Sequence, residues 1–216
     1  MKRITVFAGH YGSGKTNLAV NYAFKLKNMG YSVSIADLDI VNPYFRTKDS
    51  AKELEDAGIE LVSLPYANSN VDLPALPSQM YGLVQRDDKH IVIDLGGDER
   101  GALALGRYTP YILKENNYDM YFVVNFYRPL TTTVEQALEA MYEIESACGL
   151  KFTGIVNNSN LGAQTTAQDV LDTAEEAEKL CEQTGLRLVM TSVEKSIADG
   201  LNLPEQFSLT LQKKLF

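Results

Sequence analysis

Short apolar runs alternate with stretches of helical period along almost the whole chain. The first run, 3–8, leads through a glycine-rich segment to an apolar stripe at Leu18, Tyr22, Leu26 and Met29, the spacing of one helix face, with Gly30 as its stop. Further β-type runs are read at 33–37, 59–64, 90–94, 119–126, 152–158 and 186–191. The run at 90–94 is apolar at nearly every position, as in a parallel strand buried on both faces. Helical stretches are expected at 47–57, 78–85, 102–113, 131–148 and 166–183, with Thr131, Thr132 and Thr133 as capping residues for the fourth. The closing segment 204–216 carries Phe207, Leu211 and Leu215 at fourfold spacing and is expected to pack on the sheet. A membrane-contacting tail is the alternative there, since Lys213 and Lys214 lie beside Leu215 and Phe216. Strand and helix in regular alternation predict an α/β architecture.

Composition narrows the picture. With 216 residues and 45% apolar content the chain can bury a large core, and one domain over 1–216 is expected. A formal charge of −8 argues against a sequence-independent grip on nucleic acid, which needs clustered lysine and arginine. Cys148 and Cys181 fall in helical stretches without C-x-x-C spacing and read as reduced core residues, with a metal or cluster site as the minority reading. The first residues run straight into the first strand, and no apolar run reaches membrane-spanning length. A cytoplasmic protein, with neither membrane nor nucleic acid as partner, is expected.

The chemistry starts between the first strand and the first helix. Gly9-His10-Tyr11-Gly12-Ser13-Gly14-Lys15-Thr16 fits G-x-x-x-x-G-K-[ST] in full. Glycine permits the close backbone approach that turns successive N–H groups inward as an anion nest. Lys15 is expected to neutralise the β- and γ-phosphates and Thr16 to place a hydroxyl on Mg²⁺, while the helix that continues through Asn17 adds its positive dipole end. Gly9, His10, Tyr11, Gly12, Ser13, Gly14, Lys15, Thr16 and Asn17 are therefore the expected nucleotide-binding stretch.

Three later strand ends carry matching chemistry. Asp37 and Asp39 follow the second strand at i and i+2, suited to holding Mg²⁺ or orienting an attacking water, with a surface turn as the plain alternative. The loop 42–45 after them is expected to be structured, and Arg46 to sense phosphate. Asp94 ends an apolar strand three residues before Gly97, so Asp94 is expected at Mg²⁺ and the Gly97 N–H at the γ-phosphate. Asn157 ends the strand at 152–158 and can offer a base edge both a donor and an acceptor. Residues 65–77 hold three prolines and little periodicity, and read either as a lid or partner surface or as a connector.

This order of motifs resembles the MinD/ParA/CobQ-like P-loop NTPases of the signal-recognition and MinD-type class, from the first strand to about Glu194. The resemblance implies a three-layer P-loop NTPase fold, with a mostly parallel sheet and helices on both faces. It further implies ATP rather than GTP, Mg²⁺, and frequently a nucleotide-sandwich homodimer. By the same resemblance Asp39 positions the hydrolytic water and is catalytic together with Lys15. Asp37 is its switch-region neighbour, and Thr16, Asp37, Asp39 and Asp94 serve the metal. Asn157 reads adenine, and the N-K-x-D run of guanine readers is absent. One departure stands out: MinD- and ParA-type members carry a further lysine near the start of the loop, where this chain has His10. A mostly neutral imidazole is a poor substitute for a fixed cation. Arg46, Arg100 or Arg128 must then supply the charge, or a partner protein completes the site. The resulting expectation is an Mg²⁺-dependent ATPase acting as a switch or accessory factor for a protein partner. A CobQ- or dethiobiotin-synthetase-like ligase or kinase is the alternative, and a non-hydrolysing sensor a third.

Overall fold

The computed structural model describes residues 1–39, 47–63 and 78–211. The loop 42–45, Arg46, the segment 65–77 and the tail 212–216 lie outside the described residues.

Eight strands form one sheet among the described residues: β1 (Ile4–Ala8), β2 (Val33–Leu38), β3 (Glu60–Ser63), β4 (His90–Leu95), β5 (Tyr118–Val124), β6 (Gly154–Asn157), β7 (Leu188–Glu194) and β8 (Gln206–Leu209). Their spatial order is β3-β2-β4-β1-β5-β6-β7-β8, and every pairing is parallel. Parallel neighbours need crossovers, and helices supply most of them. These are α1 (Lys15–Asn28), α2 (Ala51–Asp56), α3 (Ser78–Gln85), α4 (Glu99–Gly106), α5 (Thr109–Glu115), α6 (Val134–Cys148), α7 (Ala167–Leu171), α8 (Ala174–Thr184) and α9 (Lys195–Ala198).

The central strands are buried on both faces, and side-chain alternation divides them between two cores. Ile4, Val6, Ala8, Ile91, Ile93 and Leu95 join the cluster built with α3, α4, α5, α6 and α8. Phe7, Ile35 and Val92 join the opposite cluster, where Leu18, Tyr22 and Leu26 of α1 and Leu54 of α2 pack. Phe7 meets the Tyr22 ring edge-on at 5.3 Å and the Tyr121 ring at 5.9 Å. This is the three-layer α/β arrangement that the motif order implied.

Four expectations are corrected in detail. Met29 leaves the α1 stripe and is 57% exposed, because the helix ends at Asn28 and Met29 is already its cap. The single helix expected over 102–113 is two, since Pro110 lacks an N–H and sits in the first turn of α5, where that costs nothing. The stretch 166–183 also divides: Thr166 and Asp169 form a capping box on α7, and a separate α8 starts after Thr173. The segment after Pro204 contributes strand β8, with Phe207 and Leu209 buried at period two. The fourfold spacing of Phe207 and Leu211 belongs to no helix among the described residues. Both cysteines are free, Cys148 buried and Cys181 half-buried.

Candidate functional site

The chain leaves β1 at the centre of the sheet, passes outward to β2 and β3, returns through β4, and continues on the other side of β1 through β5. Such a reversal opens a crevice beyond the carboxyl ends of the strands. Residues 9–14 cross that end and enter α1. Gly12 and Gly14 hold φ of 78° and 86°, so the loop turns twice through left-handed backbone that glycine adopts without penalty. Gly14 caps α1 with backbone alone. The first-turn N–H groups of a 14-residue helix therefore face the crevice, where an anion is the natural partner.

Lys15 lies folded into the loop, 5% exposed, with its Nζ donating to the His10 carbonyl at 3.1 Å. The Ser13 N–H donates to the same carbonyl at 3.2 Å. Burial pushes the Lys15 ammonium down, and the charges of Asp94, Asp39 and Asp98 push it back up. A buried cation facing three carboxylates, beside a helix N-terminus, is poised for an anion with its metal.

The carboxylates come from adjacent strands. Asp37 and Asp94 are register partners on β2 and β4, and Phe7 of β1 pairs with Asp94 from the other side. Asp94 is fully buried and accepts from the Thr47 hydroxyl at 3.0 Å through Oδ2, while Oδ1 has no hydrogen-bond partner. Burial raises its carboxyl to about 6, opposed by the Thr16 hydroxyl and the Lys15 charge. A buried carboxylate oxygen left unpartnered, beside Thr16, suits a hard cation or its water shell. Among the described residues no cluster of three or more carboxylate, imidazole or thiol ligands forms a closed metal cage. Asp37 accepts from the Asp39 N–H at 3.0 Å, bending the chain as it leaves β2. Asp39 lines the cleft, with its Oδ1 3.3 Å from where a Cβ on Gly96 would stand.

The turn after β4 rests on the loop. A Cβ on Gly97 would come within 2.6 Å of the Tyr11 nitrogen and 2.9 Å of the His10 carbonyl carbon. Asp98 caps α4, accepting from the Gly101 N–H at 3.0 Å. Arg100 stands exposed in the first turn of α4 and does not line the cleft.

On the far side, Asn157 and Asn158 part company. The Asn157 carboxamide is consumed internally: its Nδ2 donates to Thr173 Oγ1 at 3.1 Å, and its Oδ1 accepts from Ser159 Oγ at 2.7 Å and from the Ser159 N–H at 3.1 Å. Asn158 faces the cleft instead. Its Nδ2 donates to the Ser13 carbonyl at 2.5 Å, and its Oδ1 accepts from the Ser192 hydroxyl. A cleft of about 750 Å³ runs from Gly12, Lys15 and Thr16 to this wall. Beyond Asn158 it is lined by Asn160, Leu161, Val170, Val193, Glu194 and Leu209, an apolar slot with polar groups at its edges.

Gly9 to Asn17, Asp39, Asp94 and Gly97 are thus brought to one end of the sheet. Thr47 and Asn158 join them without having been expected there, while Ser192 opens the stretch 192–195 after the run 186–191, where sequence alone suggests a base-flanking loop. Thr47 has no local signal, since it reaches Asp94 only through the fold. Asn158 had a faint one, as the residue just past the carboxyl end of its strand.

A model of the CobQ/CobB/MinD/ParA nucleotide binding domain matches residues 4–170, which takes in the loop, both carboxylate strands and Asn158. The chain belongs to this family. No curated protein matches it significantly in sequence. Among solved structures it is similar to the cell division protein FtsY of Thermotoga maritima, with a TM-score of 0.63 at 17% identity, covering 89% of this chain and 62% of that one. Chloroplast FtsY of Physcomitrella patens gives a TM-score of 0.57 at 17% identity, over 88% of this chain and 57% of that one. The signal recognition particle 54 kDa protein of Aeropyrum pernix, solved with GDP, gives 0.54 at 17% identity, over 87% of this chain and 40% of that one. The chain therefore spans less than two thirds of the length of these neighbours, which share its fold. As a member of the CobQ/CobB/MinD/ParA family it is a nucleotide-binding domain. Among its described residues no helix is long and apolar enough to cross a membrane.

Proposed function

We propose that the chain is an Mg²⁺-dependent, cytoplasmic ATPase that works as a conformational switch for a protein partner. The observation that carries this reading is the buried Lys15 at a glycine-capped helix start, facing Asp94 and Asp39 from neighbouring strands. The helix N-terminus and Lys15 bind the phosphates, and Thr16 and Asp94 hold Mg²⁺. When bound there, Mg²⁺ would supply charge neutralisation to the phosphates. Asp39 orients the attacking water. The Gly97 turn, packed on Tyr11, reports the γ-phosphate to α4 and hence to the surface. The base enters the apolar slot beyond Asn158, and the pinned Asn157 carboxamide shapes that wall from behind.

Adenine is favoured over guanine by the absence of an N-K-x-D run after β6, where Asn157-Asn158-Ser159-Asn160 stands. The GDP-bound neighbour keeps GTP as the competing base. A ligase or kinase acting on a small molecule is the second reading, supported by the CobQ and CobB members of the matched family. Turnover that requires an added metabolite would establish it.

Thermal denaturation with Mg-ATP and Mg-GTP tests the reading. At 100-fold excess over Kd an intact site gains about 2.7 kcal/mol. Lys15→Ala should abolish the gain, and Asp39→Ala should keep it while losing hydrolysis. A shift that survives Lys15→Ala, or a larger shift with GTP, overturns the corresponding assignment.

A further inference from the structure

Among the described residues the cleft holds few cations. Among the described residues that line it, Lys15 and Arg128 are the cations, against Asp39 and Glu194. Asp94 and Asp98 add further negative charge around Lys15. A nucleoside triphosphate brings more negative charge than one Mg²⁺ and one lysine neutralise, which leaves a deficit.

Arg128 lies where the deficit is. Its Cγ, Cδ and Nε pass 3.7–3.9 Å from the point where a Cβ on Gly12 would stand, so the stem rests on the outer turn of the phosphate loop. Arg128 is exposed and lines the same cleft as Lys15. Among the described residues no carboxylate pairs with it. An exposed arginine without a counter-ion, lying across an anion site, has its charge still to use.

The segment that delivers it is built rigidly. Asn125 is fully buried: its Oδ1 accepts from the Tyr127 N–H at 3.0 Å, and its Nδ2 donates to the Asn160 carbonyl at 3.1 Å. The buried Thr131 hydroxyl donates to the Asn125 carbonyl at 2.8 Å. The Tyr127 hydroxyl donates to the Asp169 carbonyl at 2.8 Å. Leu130 is held at φ 67°, a left-handed conformation that a leucine adopts only under constraint. The turn after β5 is thus tied both to the loop after β6 and to α7.

We infer that Arg128 is a cation this chain supplies to its own bound phosphates, lying over Gly12 on the phosphate loop. The inference rests on the nucleotide reading above. It gives the phosphates a second cation from this chain besides Lys15.

The test uses the full chain with Arg128→Gln and Arg128→Lys. The readouts are Mg-ATP affinity, single-turnover hydrolysis, and ligand-free Tm as the check on folding. Arg128→Gln should lower the rate, or weaken Mg-ATP binding, by at least 10-fold, and Arg128→Lys should recover most of that loss. Gln within threefold of the wild type in both readouts overturns the inference. Equal losses in Gln and Lys also overturn it, because they assign Arg128 a packing role rather than a charge. A wild-type chain that shows no nucleotide-induced thermal shift would instead defeat the nucleotide reading itself.

Discussion

Gly97 is packed so closely on Tyr11 that a methyl group at position 97 would stand 2.6 Å from the Tyr11 nitrogen and 2.8 Å from its Cα. Both neighbours are backbone, so neither yields as a flexible side chain would. The φ of Gly97 is not in the left-handed region, and alanine is therefore allowed by its own backbone and excluded by the phosphate loop. Gly97→Ala should displace the loop and weaken Mg-nucleotide binding by at least 10-fold. Overpacking of this kind costs about 1–3 kcal/mol of stability. Calorimetric titration with a thermal melt checks both, and a variant matching the wild type in Kd and Tm would separate the two turns.

Asn157 and Asn158 should give opposite phenotypes. Asn157→Ala strips hydrogen bonds from Thr173 and Ser159 deep in the fold, and leaving buried polar groups unsatisfied costs about 1–3 kcal/mol. Nucleotide affinity should change little. Asn158→Ala removes the tie to the Ser13 carbonyl and the Ser192 hydroxyl, loosening the phosphate loop where nucleotide binds. It should weaken nucleotide binding by about 10-fold, the scale of one hydrogen bond to a charged or pre-organised group. Urea denaturation and a binding titration on each variant separate the two. Loss of affinity in Asn157→Ala with normal stability would return base reading to Asn157.

The contrast between these neighbours shows what a sequence carries. The turns of the glycine-rich loop were legible because Gly12 and Gly14 are the residue type that takes the positive φ required there. The position of Asp94 was legible, as a carboxylate near the end of an apolar strand, and the fold buries it there. The direction of a carboxamide past the end of β6 was not legible, since it depends on Thr173 and Ser192 arriving from other elements. Thr47 is the same case, meeting Asp94 across the sheet end. Strand β8 was hidden for another reason. Only four residues long, it shows Phe207 and Leu209 at period two while Leu211 suggests a helical stripe.

Asp94 should make the ligand-free protein less stable as pH rises. Burial lifts its carboxyl from 3.8 to about 6, so between those values the folded chain holds a proton that the unfolded chain releases. Stability then falls with rising pH across that window, and the loss is complete above the folded value. Carboxylates with lowered values, such as Glu60 and Asp169, act in the opposite sense, in a window below their ordinary values of 4.5 and 3.8. Asp94→Asn isolates the Asp94 effect, because the amide keeps an oxygen for the Thr47 hydroxyl and cannot ionise. The Tm of Asp94→Asn minus that of the wild type should therefore grow from pH 4 to pH 7, by several degrees. Mg-ATP should reverse the order at pH 7, since the metal rewards the ionised carboxylate that the variant lacks. A difference that stays flat with pH would mean that Asp94 is already ionised without strain, and that its burial is relieved in solution.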